Sequence, residues 1–132
     1  MANFIILTNN PMVTSSYSEF CEFHDKTVEG IFIVCRDMIH KGSTLINHPL
    51  SGSVKPNISP YRSLIISIAN PKSTVKTDFQ SLQLIEDALL TLKKLGIRDN
   101  MQYNESVIED FQVIDLDLLN SAMQSLPPNY HK

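Results

Sequence analysis

The chain has 132 residues, of which 42% are hydrophobic and 19% charged. That fits one ordinary globular core, with enough apolar surface to offset the entropy of ordering the chain. The formal net charge of −3 argues against nucleic acid or acidic membrane as a partner, and the longest apolar runs fall far short of the roughly 20 residues that span a bilayer.

Phe4-Ile5-Ile6-Leu7 is a continuous apolar run suited to a strand buried on both faces. Thr8-Asn9-Asn10-Pro11 follows, and Asn then Pro is a helix-start signal. A short helix is expected from Pro11 to about Tyr17. Residues 19–24 alternate polar and apolar and read as a second strand, at an edge. Asp25 or Thr27 can cap the next helix, whose stripe is Val28, Ile31, Cys35 and Met38, with Gly42 as its stop. A strand through residues 31–35 is the competing reading of this stretch. Thr44-Leu45-Ile46 is a short strand, and Leu64-Ile65-Ile66-Ser67-Ile68 a stronger one. Thr77-Asp78-Phe79-Gln80 has the form of a capping box before a helix bearing Leu82, Ile85, Leu89 and Leu92, which Gly96 ends. Val107, Phe111, Ile114 and Leu118 give a last helical stripe, with Asp115 placed to cap a second segment. Residues 1–126 read as one domain and 127–132 as a frayed tail.

Strands alternating with helices predict an α/β fold: a small, open, mostly parallel sheet flanked by helices, a Rossmann-like three-layer arrangement. In such sheets, ligands bind outside the carboxyl ends of the strands. The turn at residues 8–11 and the long loop at 48–61 are expected to share that edge. The loop holds three of the seven prolines and has little charge, so it reads as an ordered site loop rather than a linker. Within it Ser51, Gly52, Ser53 and Lys55 have the parts of an anion cradle, in which turn amides and an ammonium share negative charge. The spacing is not that of a P-loop. A plain turn with Lys55 in water is the competing reading. His48 and Tyr61 stand at the ends of the loop, and Asn9 and Asn10 could donate to a ligand from across the crevice. Helix capping explains at least one of the asparagines equally well.

No catalytic set can be assigned. His24, His40 and His131 show no metal-ligand spacing with either cysteine, so no metal is expected. Cys21 and Cys35 form no CxxC pair and are expected to be reduced, structural thiols. Glu109, Asp110, Asp115 and Asp117 read as a solvated face and a cap. The start, Met1-Ala2-Asn3-Phe4, has no signal-peptide pattern, and a cytoplasmic location is expected.

Several motifs together resemble the GrdX family: Thr8-Asn9-Asn10-Pro11, Arg36-Asp37-Met38-Ile39-His40-Lys41-Gly42, the run from His48 through Lys55 to Asn57, Pro60-Tyr61, and Glu109-Asp110-Phe111-Gln112-Val113-Ile114-Asp115. The resemblance implies a small accessory protein of the selenium-dependent glycine, sarcosine and betaine reductase systems of anaerobic amino-acid fermenters. It implies reductase subunits as partners and supplies no catalytic residue and no cofactor. The alternative is a small enzyme acting on an anionic ligand at the loop.

Overall fold

The computed structural model describes residues 3–50, 58–69, 76–96 and 103–127. Seven elements follow in order: β1 (Phe4–Thr8), α1 (Pro11–Ser16), β2 (Cys21–Phe23), α2 (Val28–His40), β3 (Ser63–Ser67), α3 (Phe79–Leu95) and α4 (Glu105–Gln124). The sheet order is β2-β1-β3. β2 runs parallel to β1, and β3 runs antiparallel to it, with Ile6 opposite Ile65.

The sheet is therefore mixed, where the sequence predicted it mostly parallel. The reason lies in residues 44–46. Only Leu45 forms a bridge, to Ile66 in antiparallel sense, so the expected strand shrinks to a single pairing. Two backbone bonds, from Ile46 to the Ile65 carbonyl and from Ser67 to the Thr44 carbonyl, tie this segment to the outer side of β3. The chain passes along that outer side in the direction of β1, then turns back as β3 between the two. β3 is thus covered on both sides, and Leu64, Ile65 and Ile66 are fully buried.

Alternation along the strands separates two cores. Leu7, Leu64 and Ile66 pack with Ile31, Phe32 and Cys35 of α2 and Ile85 and Leu92 of α3. Phe4, Ile6 and Ile65 face the other way, onto Val13 of α1 and Leu119 of α4. The result is three layers, with α2 and α3 on one face and α1 and α4 on the other.

Local signals explain most boundaries. Asn10 caps α1 through its side chain, and Pro11 starts it. Thr27 caps α2 by accepting from the Gly30 amide, and Gly42 leaves it at φ +106°, a conformation other residues adopt only with strain. These two signals decide between helix and strand at 31–35 in favour of the helix. α3 starts one residue later than the capping box implied: Asp78, not Thr77, is the cap, and its carboxylate accepts from the Ser81 amide. α4 is continuous, so Asp115 caps no second segment.

Both cysteines are free. Cys21 packs with the α1/α4 core and Cys35 with the α2/α3 core, on opposite faces of the sheet. Burial pushes the thiols up, to about 11 for Cys21 and about 12 for Cys35, so neither is a ready nucleophile at neutral pH. Under native conditions Cys35 is expected to resist a thiol reagent until the protein is unfolded, and both thiols should then titrate. A disulfide in the folded protein, seen by mass spectrometry without reduction, would contradict this placement.

Candidate functional site

β1 ends at Thr8, β3 begins at Ser63, and the 44–46 segment runs in the same direction as β1. Residues 8–11, 47–50 and 58–63 therefore meet at one edge of the sheet. The shared edge expected from the sequence is present, although β3 reaches it in the opposite sense.

The first side chain after β1 organises that edge. Asn9 is buried. Its amide Nδ2 donates to the carbonyls of Lys26 (2.9 Å) and Pro60 (2.8 Å), and its Oδ1 accepts from the Arg62 amide (3.0 Å). Asn10 is fully buried. Its Oδ1 accepts from the Met12 amide, and its Nδ2 donates to the Gln112 carbonyl (3.0 Å) and to Asp115 Oδ2 (3.1 Å). Both carboxamides, read from the sequence as ligand donors, are thus engaged within the protein. Asn10 keeps its capping role and also ties α1 to α4.

Asp115 is the centre of the buried polar cluster, with 5% of its surface exposed. The Ser63 hydroxyl donates to its Oδ2 at 2.7 Å, and Ser63 and Thr8 share a second bond of 2.7 Å. With the single Ser63 proton directed at the carboxylate, Thr8 is the donor of that second bond. The Thr8 hydroxyl in turn accepts from the Asn10 amide at 3.0 Å. Arg62, equally buried, lies within electrostatic reach. Burial pushes the Asp115 carboxyl above its ordinary value, against the pull of Ser63, Asn10 and Arg62. Burial also lowers Arg62, against the pull of Asp115, but a guanidinium starts so high that it stays charged.

A narrow cleft leads to this cluster past Asn47, His48 and Pro49. Its free space is about 10 Å³, enough for about one water molecule. His48 is exposed. Its Nδ1 accepts from the Leu50 amide at 3.1 Å, so the neutral ring carries its proton on Nε2. Nε2–H of His48 and the Arg62 guanidinium are donors of the kind that suit an anionic group. Tyr61 is half-buried, and its hydroxyl accepts from Gln112 Nε2 at 3.0 Å. Ser51, Gly52, Ser53 and Lys55 lie outside the described residues. Among the described residues no cluster of His, Cys, Asp and Glu could hold a metal ion, and no helix is long and apolar enough to cross a membrane.

Arg62 and Asn47 are not singled out by the sequence, and Asp115 is singled out only as a cap. Asp115 reads as a cap beside a solvated face because Ile114 falls on the expected apolar stripe. In the structure Ile114 is 39% exposed, and Asp115 and Leu119 are the buried residues of α4. The usable signal was the one-turn spacing from Asp115 to Leu119 and on to Met123. Arg62 stands directly before a fully buried strand, where a charge needs a partner. Asn47 stands in for a strand residue: its Oδ1 accepts from the Ile65 amide at 2.8 Å, and its Nδ2 donates to the Ser63 carbonyl at 3.3 Å.

No curated protein and no solved structure matches the chain. A family model described as GrdX-like protein matches residues 5–124, from β1 to the end of α4 and across the whole of the 48–61 loop. On that match over most of its length, the chain belongs to the GrdX-like family.

Proposed function

We propose that the protein is a cytoplasmic accessory or binding protein of selenium-dependent glycine, sarcosine or betaine reductase, with the 48–61 loop as its working surface. Family membership supports the link to the reductase. The observation that carries the binding role is the fixing of both feet of the loop. Asn47 is bonded to β3, Asn9 holds Pro60 and Arg62, Gln112 reaches Tyr61, and the Tyr103 hydroxyl donates to the Ile58 carbonyl at 2.9 Å. Feet fixed in this way add little ordering cost of their own when a partner binds. His48, Ser51, Gly52, Ser53, Lys55 and Tyr61 are the proposed contact residues, and Asn9 and Asn10 brace the edge from which the loop leaves. The raised thiols speak against electron transfer through Cys21 or Cys35.

A second reading, a small enzyme for an anionic metabolite, is favoured by His48 and Arg62 at the cleft. Light scattering of the purified protein mixed with purified reductase subunits separates the two. The accessory role predicts a stable complex without turnover by this chain. The absence of any complex, with an anionic metabolite bound or converted instead, would transfer the proposal to the enzyme. Lys55→Ala should weaken whichever contact is real by about tenfold to a hundredfold through loss of a charge-assisted bond, with an unchanged thermal melt.

A further inference from the structure

A separate groove of about 320 Å³ lies beside α1 and the first turns of α4, lined by Met12, Tyr103, Glu105, Ile108, Glu109 and Gln112. Its walls are held in place. Asn10 bonds the Gln112 carbonyl, Gln112 bonds Tyr61, and the Tyr103 ring packs edge-on against Phe111 with centroids 5.0 Å apart. Met12 and Ile108 supply apolar contact, Met12 in an adaptable form. Glu105 and Glu109 stand one helical turn apart, both exposed. Among the described residues, neither is in an ion pair. The groove therefore suits an aliphatic side chain flanked by cations.

The chain carries such a patch on its opposite layer. At the end of α3, Leu90 is 50% exposed. Lys93 and Lys94 follow at three and four residues, on the same helical face, and both are exposed. Leu95 beside them is 47% exposed. Neither lysine is in an ion pair among the described residues.

We infer that the groove takes the last turn of α3 from a second copy of this chain, with Leu90 over Met12 and Ile108 and the ammonium groups of Lys93 and Lys94 on Glu105 and Glu109. Groove and patch are different surfaces, so the contact is head-to-tail and either closes into a ring or runs on. Exposed charge pairs are individually weak and screened by salt, so the association is weak and falls as ionic strength rises.

The test is light scattering of the full chain over a range of concentrations, at low and high salt. The average mass should rise with concentration at low salt and return to the monomer at high salt. Glu105→Lys with Glu109→Lys should abolish the rise, as should Lys93→Glu with Lys94→Glu. An equimolar mixture of these two monomeric variants should associate again, because each restores the other's missing surface. All four positions are exposed, so both variants should melt close to the wild type. Should either melt early, Glu105→Gln with Glu109→Gln and Lys93→Gln with Lys94→Gln replace the pair, each lowering association tenfold or more. A wild type that stays monomeric throughout overturns the inference, even if a basic peptide binds the groove. So does association indifferent to salt or to these substitutions, or a charge-reversed mixture that stays monomeric.

Discussion

Asp115→Ala is expected to lower the unfolding free energy by about 2–6 kcal/mol, because it leaves two buried hydrogen-bond donors unsatisfied at about 1–3 kcal/mol each. The loss removes the acceptor of Ser63 and Asn10. The other Nδ2 proton of Asn10 is already on the Gln112 carbonyl, and when Ser63 turns its proton to Thr8 the Thr8 proton loses its acceptor, so one donor on each side is left unpaired. Asp115→Asn keeps an oxygen for Ser63 and Asn10 and should cost less. The two carboxyl states also give a pH signature. The folded carboxyl keeps its proton to a higher pH than the unfolded one. The unfolded carboxyl ionises near the ordinary value of about 3.9. As pH rises from there through the raised native value, the unfolded state is favoured, and the wild type loses stability. Asp115→Asn has no such proton. Urea unfolding of both proteins across this window should show the wild type falling relative to the variant as pH rises. Parallel curves would mean that Asp115 ionises alike in the folded and unfolded states.

Asn9→Ala should cost about 1.5–4.5 kcal/mol, from three hydrogen bonds at roughly 0.5–1.5 kcal/mol each. All three end on backbone groups, at Lys26, Pro60 and Arg62. The damage should therefore concentrate at the foot of the loop. Limited proteolysis is expected to cut the variant within residues 47–62 faster than the wild type, with the α2/α3 layer equally protected in both. Equal cleavage rates would show that Asn9 does not hold this edge. The same substitution should weaken partner binding without removing any proposed contact residue.

The sequence signals that held are the ones with direct local physics. A side-chain oxygen caps each of α1 and α2, and Gly42 at positive φ can end α2 because it has no Cβ. Those signals also excluded a strand at residues 31–35. The direction of β3 was not legible. Leu64, Ile65 and Ile66 are buried on both faces, and an apolar run of that kind reads the same for either pairing sense. The return of the chain past residues 44–46 settles the direction, through long-range bonds that no local pattern encodes. At the candidate site, loop composition singled out residues 48–61, and the Pro60 end of that stretch meets Asn9 after β1. Asp115 reads as a cap until α4 is rotated to place Leu119 inward, and nothing local marks Arg62 as buried. Asn9 and Asn10 were recognised as important, but the sequence could not distinguish a ligand donor from a residue bonded within the protein.

The most direct measurement is hydrogen–deuterium exchange of the wild-type protein with and without purified reductase subunits. Slowed exchange confined to residues 47–62, lost on Lys55→Ala, is the result expected if the loop is the working surface. Protection on the α2/α3 layer instead, or no change anywhere at saturating subunit concentration, would contradict it.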